Sequence, residues 1–169
     1  ILIIAVWGTT FISTKVLINH GLAPSEIFLL RFSIAYLGIL LFGSRKIFAD
    51  SFLDEFRMMV LGVVGGTIYF WTENTALKFS QANNVSFLVC TSPLWTSLLA
   101  IALGKLKMNR WLGAGTLCAL LGMALVVFNG QFVLKLSPLG DGLAIAAAMS
   151  WAVYSLVMGT VSKRYSSVF

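Results

Sequence analysis

Charge is scarce in this chain. Only 11% of its 169 residues are Asp, Glu, Lys or Arg, where a soluble domain carries about 25%. Histidine occurs once, as His20 between two apolar runs, and no HExxH-like cluster of His, Asp or Cys is present. A membrane-embedded enzyme would need such a cluster, so no catalytic residue, metal site or cofactor is expected. The two cysteines, Cys90 and Cys118, fall in the middle of apolar runs without zinc-like spacing and are expected to be reduced and packed. The chain opens on Ile1, inside an apolar run, with neither Met nor a basic leader, and Phe169 ends it equally abruptly. The numbering is therefore expected to begin after a missing start. A cleaved signal peptide does not fit, because the apolar runs are too many and too long.

Apolar sequence is what the chain has instead. Hydrophobic residues make up 59% and the mean hydropathy is +0.92. Six apolar runs cover about 1–18, 24–43, 58–77, 84–103, 111–129 and 143–161, each near the roughly 20 residues a helix needs to cross a bilayer. This is an all-α polytopic membrane protein, a helical bundle whose first partner is the lipid bilayer. Lys and Arg alternate between its loops. Arg45, Lys46, Arg57, Lys105, Lys107, Arg110, Lys163 and Arg164 lie on one side; Lys78 and Lys135 lie on the other. The positive-inside rule then puts 44–57, 104–110 and 162–169 in the cytoplasm, so the first span starts there. This placement accounts for the net charge of +6, and no nucleic-acid partner is implied. The segment 44–57 is itself amphipathic and is expected at the cytoplasmic interface.

The fourth run carries the one proline inside a span. Pro93 cannot donate to the carbonyl of Val89, so the helix should bend there and leave an acceptor needing a partner. Asn83, Ser86, Cys90, Pro93, Ser97, Ala100 and Gly104 recur at steps of three and four. Such a seam either packs closely against other helices or lines a polar path.

In the first span Trp7, Thr10 and Thr14 share a face, with Thr9 and Ser13 beside them. Hydroxyls there either bond back to their own helix or face the bundle interior. Lys15, near the outer end, is expected to snorkel to the headgroups. Arg31 has two readings: snorkelling or pairing with Glu26, or facing the outer mouth of a pathway. In the third span Gly62, Gly66, Tyr69, Glu73 and Ala76 are expected on one face. Glu73 is the one acidic residue well inside a span. Either it pairs with Lys15, Arg31 or Lys78, or it serves function as an intramembrane carboxylate. The fifth span, with Gly115, Ala119 and Gly122, reads as packing scaffold or dimer face. Asp141 is expected to favour the N-terminus of the sixth helix. That helix adds Ala144, Ala148, Trp151, Ser155 and Gly159 on a small, polar face, with Tyr154 close by.

At an offset of 144, Trp151-Ala152 falls on Trp7-Gly8. A five-span unit has an odd count, so a second copy enters the membrane inverted, the architecture of alternating access around a midplane site. The expected organisation is a first repeat at 1–129, an outer connecting loop at 130–142, and the first helix of a second repeat at 143–169.

The segments AVWGTTFISTK, LLRFSIAYLGILLF, TENTALKFSQANNVSFLVCTSPLWTSLLAIALG, WLGAGTLCALLGMALVV and PLGDGLAIAAAMSWAVYSLV, in this order and spacing, cover nearly the whole chain. Together they resemble the EamA-type branch of the drug/metabolite transporter superfamily. The resemblance implies ten spans in two inverted five-helix repeats, of which six are visible here. It also implies export or exchange of a small solute through a cavity lined by both repeats. By position, Trp7, Thr10, Tyr69, Ser86, Cys90, Pro93 and Trp151 would face or shape that cavity. One departure is plain: Lys105 follows Gly104 where the family usually has Glu. The first span also lacks the central acidic residue of the related small multidrug pumps, which argues against their proton-for-cation scheme.

The expectation is thus a secondary transporter, exporter or exchanger, for a small polar metabolite such as an amino acid, in a bacterial inner membrane. Trp7, Thr10, Thr14, Tyr69, Glu73, Ser86, Cys90, Trp151 and Tyr154 are the candidate substrate-binding residues, with Pro93 as hinge. A coupling proton or cation and a homodimer contact are further expectations. The alternative is a receptor or scaffold that binds a small ligand without moving it.

Overall fold

The structure, a computed structural model, describes residues 2–42, 48–128 and 137–165, with side chains at 9–41, 48–125 and 137–165. Its elements are helices: α1 (Leu2–Asn19), α2 (Pro24–Phe42), α3 (Phe52–Leu61), a π-helical segment (Gly62–Ile68), α4 (Tyr69–Phe79), α5 (Ala82–Val89), α6 (Ser92–Ala102), α7 (Arg110–Phe128) and α8 (Pro138–Val161). Over their described residues the six apolar runs are helical, apart from a turn at Cys90–Thr91 and the residue past Ala102. Three helical stretches, Pro24–Leu41, Ala82–Ala102 and Pro138–Val161, are long and apolar enough to cross a membrane.

Many large apolar side chains point outward, and the interior, beside Phe11, Ile27 and Leu77, is rich in small and polar ones. Along α2, Leu29, Ile34, Ile39 and Leu41 are all more than 60% exposed. The interior holds Ala76, Ala144, Ala147, Ala148 and Ala152 beside Thr14, Glu73, Asn74 and Asn84. Water would punish that distribution; hydrocarbon favours it, because close backbone approach and internal polar pairing hold helices together there.

Most of the interior forms where the third span meets α8. The helix carrying the third span runs unbroken from Phe52 to Phe79, but its stretch over Gly62–Ile68 is π-helical. A π turn inserts backbone and re-phases everything after it. The buried positions are accordingly Leu61, Gly65, Tyr69 and Glu73, a step of four each time. This corrects the face expected from sequence: Gly62 has nothing within 4 Å of a notional Cβ, and Gly66 meets only Phe32. Gly65 is the position that permits contact, since a Cβ there would fall on the Tyr154 ring. The Val64 carbonyl, which accepts from Tyr69 N–H, also accepts the Ser150 hydroxyl of α8 at 2.8 Å.

The fourth span breaks instead of bending. α5 ends at Val89, Cys90 and Thr91 form a turn, and Pro93 sits in the first turn of α6, where its missing N–H costs nothing. The Thr91 hydroxyl donates to the Leu88 carbonyl at 2.6 Å and accepts from Trp95 Nε1 at 3.1 Å. At its far end Gly104, with φ of +66°, closes α6 by letting Lys105 N–H reach the Ala100 carbonyl.

α8 is tied to the third span at both ends. At one end Ser137 caps α8, and Asp141 accepts from Ser137 N–H at 3.0 Å and from the Ser80 hydroxyl at 2.9 Å. Asp141 thus caps as the sequence implies and also bridges two helices. At the other end Asp54 is buried and binds Arg57 at 2.8 Å and Arg164 at 3.0 Å. Phe48, Phe52 and Phe56 are exposed around it, as an interfacial segment requires.

Gly65→Ala should lower the melting temperature of the purified protein clearly, since overpacking costs about 1–3 kcal/mol. Gly62→Ala, in open space, should leave it unchanged or raise it; equal effects at both positions would contradict the packing described here.

Candidate functional site

The polar interior lies between α1, α2, α4 and α8. Tyr69 and Glu73, one turn apart on α4, are each only 1% exposed. The Tyr69 ring packs against Trp151 at 4.9 Å between centroids, and Trp151 against Tyr154 at 4.8 Å. Tyr69 also meets Phe70 edge-on at 4.9 Å. Over Phe70 lies the Arg31 guanidinium, 5.2 Å from the ring centroid, and its Nη1 donates to the Thr14 hydroxyl at 3.5 Å. Arg31 therefore turns into the bundle. Glu26 instead caps its own helix, accepting from Ala23 N–H at 2.7 Å.

Glu73 makes none of the ion pairs considered from sequence. Lys15 does not snorkel: its ammonium donates to the carbonyls of Leu77 and Ser80, closing the C-terminal end of α4. Lys78 lies over the Phe79 ring, 5.8 Å from its centroid. Arg31, held on Thr14 and Phe70, makes no ion pair with Glu73 among the described residues. Neither Tyr69 Oη nor Glu73 Oε2 has a hydrogen-bond partner of acceptable geometry among the described residues. Buried polar atoms in a spanning bundle are costly when unmatched. A buried carboxylate oxygen without a partner, one turn from a phenol that also lacks one, can accept from a cation, a proton or a hydrogen-bonding solute.

Of the residues singled out from sequence, the structure thus brings together Tyr69, Glu73, Trp151 and Tyr154, with Thr14 attached through Arg31. Thr10 is half-buried on α1, and the Trp7 side chain lies outside the described residues. Ser86 is half-buried and bonded to the Asn83 carbonyl at 2.9 Å. Cys90 is exposed; with Pro93 and Ser97 it lines a groove of about 370 Å³ against Gly115, Thr116 and Ala119 of α7. The polar seam of the fourth span therefore faces α7, while Asn84, Val85 and Val89 turn inward. Asn74 was missed. It is fully buried, and neither atom of its amide has a partner among the described residues. The signal was available: an amide beside Glu73 within an apolar run.

These features describe a polytopic helical membrane protein with an unmatched carboxylate in its interior. The model of the EamA-like transporter family matches residues 1–128, and the chain belongs to that family. It is similar to an uncharacterized transporter of Archaeoglobus fulgidus, 27% identical over 164 residues, 95% of this chain and 56% of the relative. It is also similar to the uncharacterized transporter YdfC of Bacillus subtilis, 26% identical over 171 residues, 99% of this chain and 54% of the relative. The chain spans about half the length of the curated relatives it matches. No solved structure matches it.

Replacing Lys15 by Met should destabilise the protein by about 1.5–3 kcal/mol, the range for hydrogen bonds from a charged donor. Lys15→Arg should recover part of the loss. Thermal unfolding in nanodiscs reads both; a Met variant as stable as the parent would remove the capping role.

Proposed function

We propose that the chain is the working core of a secondary transporter, one that moves a small polar metabolite bearing an ammonium or other cationic group by alternating access. The observation that carries this reading is Glu73, buried with Oε2 unmatched and framed by Tyr69, Trp151 and Arg31. Family membership and the names of the relatives support transport as the activity. Glu73 receives the cationic group or a coupling proton. Arg31, already inside the bundle, offers a counter-charge for a carboxylate, so a zwitterion such as an amino acid satisfies both. Tyr69, Trp151 and Tyr154 supply flat apolar walls that exclude water and strengthen the polar contacts.

Further parts of the reading rest on the sequence pattern. The basic end, where Arg57 and Lys105 share a cleft of about 320 Å³ with α8 residues, faces the cytoplasm of a bacterial inner membrane, and net movement is outward. Two inverted five-helix repeats build the whole transporter, with α8 opening the second. The fourth span turns at Cys90–Thr91, and Pro93 keeps its two halves separate as a hinge. The open glycines Gly113, Gly115 and Gly122 of α7 offer a contact for a second copy.

The full-length protein in liposomes loaded with a mixed metabolite extract should release one chemical class, identified by mass spectrometry. Glu73→Gln should cut that flux at least tenfold and abolish any dependence on a proton gradient. An unaltered rate across pH removes Glu73 from the mechanism, and binding without flux favours a receptor. Pro93→Ala should slow flux severalfold while leaving equilibrium binding of the same solute intact; an unchanged rate ends the hinge assignment.

A further inference from the structure

The two ties between α8 and the third span differ in kind. At the Ser80 end they press backbone to backbone. A Cβ on Gly140 would come within 2.7 Å of Ser80 Cβ and 3.0 Å of Ser80 N. Only glycine fits at that position, and Asp141 adds its hydrogen bond across the same junction. The Lys15 ammonium fixes the carbonyl of Ser80 from a third helix. This junction cannot slide without losing all of its packing.

At the opposite end the polar tie is made by long side chains, beside the buried Leu61 and Val161. Asp54 Oδ2 accepts from Arg164 Nη1 at 3.0 Å and from the Tyr165 hydroxyl at 3.3 Å, and Tyr165 Oη accepts from Asp50 N–H at 2.9 Å. Arg164 is 62% exposed, so its guanidinium rehydrates easily on release. Asp54 does not become an unpaired buried charge when α8 leaves, because Arg57, on its own helix, stays bound at 2.8 Å. The usual penalty for breaking a buried ion pair is thereby avoided. Both partners that would depart lie just beyond α8; the one that would remain, Arg57, belongs to α3.

We propose that α8 pivots about the Ser80–Gly140 junction, and that Asp54 is the latch holding the basic end of the interior shut by gripping Arg164 and Tyr165. When the latch releases, that end of α8 swings from α3 and opens the interior near Trp151 from the Arg164 side, while the Ser80 end stays closed. Asp54 is then a positioning residue, acting through the placement of α8. The charged and titratable groups facing it are Arg57 from α3 and Arg164 and Tyr165 from the end of α8, with Asp50 and Glu55 nearby on its own segment. Burial by itself raises the carboxyl's pKa; the hydrogen bonds from Arg57 and Arg164 outweigh it and hold the group below the usual carboxylate range. A group so depressed contributes its full stabilisation above its unfolded pKa and loses it as pH falls through the folded value. The latch therefore stays charged throughout neutral pH, and opening must come from competition or movement, not from protonation.

The test uses the full-length protein in nanodiscs, where both faces meet reagent. Single cysteines placed at the buried positions Ala152 and Ala144 report on α8 halfway along and near the pivot, and mass spectrometry locates the alkylated thiol. Asp54→Asn should raise the maleimide labelling rate at position 152 at least fivefold and leave position 144 within twofold of the parent. Arg164→Gln, which removes only the departing partner, should do the same. Equal rises at both positions would mean general loosening and overturn the pivot; no rise at either would overturn the latch. As a second measurement, Asp50→Cys with Tyr165→Cys, bridged by a short thiol cross-linker, should suppress labelling at 152 even with Asp54→Asn present. Persistent labelling of the bridged protein would also overturn the latch. Labelling requires no substrate, so these outcomes are independent of whether Glu73 binds one.

Discussion

The structure depends on how closely the third span can approach α8. Hydrocarbon supplies no hydrophobic drive between helices, so contact must come from backbone proximity and from polar groups that match across the gap. Gly65 beneath Tyr154, Ser150 on the Val64 carbonyl, and Gly140 against Ser80 supply those contacts along one line. The other helices are arranged around this pair. α2 reaches it through the stack of Phe28, Phe32 and Phe70, and α1 through Phe11 and the Lys15 cap.

This pairing also explains why the interior is polar. A helix pair this close has little room for large aliphatic groups, and alanine fills most of the α8 face. Around Trp151 the side chains are aromatic, Tyr69 on one side and Tyr154 on the other, with Glu73 one turn from Tyr69. A bundle intended only for rigidity would be expected to satisfy Glu73, Tyr69 and Asn74 internally. Among the described residues Asp54 and Asp141 are matched at the two ends, while Glu73 Oε2 in the middle is not.

Much of this was legible in the sequence. Six apolar runs with alternating basic loops gave six helices, and an acidic residue inside a span marked Glu73 without any structure. Tyr69 and Trp151 were each placed on the small, polar face of their own span, with Tyr154 close to the second; that the three rings stack on one another was not legible. What failed were matters of phase. Gly62 and Gly66 carry the 3.6-residue period, yet Gly65 is the buried glycine, because a π turn leaves no mark in a simple periodicity. Pro93 was expected to bend a continuous helix but instead starts a new one, since the turn at Cys90–Thr91 precedes it. Lys15 and Asp54 were invisible as anchors because their partners are a distant helix end and a residue more than a hundred positions away.

The π turn reaches further than the glycine it buries. Asp54 and Glu73 stand 19 positions apart. In an unbroken α-helix, at about 100° per residue, they would point roughly 100° away from each other. Once the wider turn takes up about one position, the remaining interval is close to five whole turns, and both carboxylates come round to the same side of the rod. That segment thus acts as a phase joint between Asp54 and Glu73. Losing one residue there would leave every side chain of the span in place chemically, while aiming one of its two buried charges at lipid.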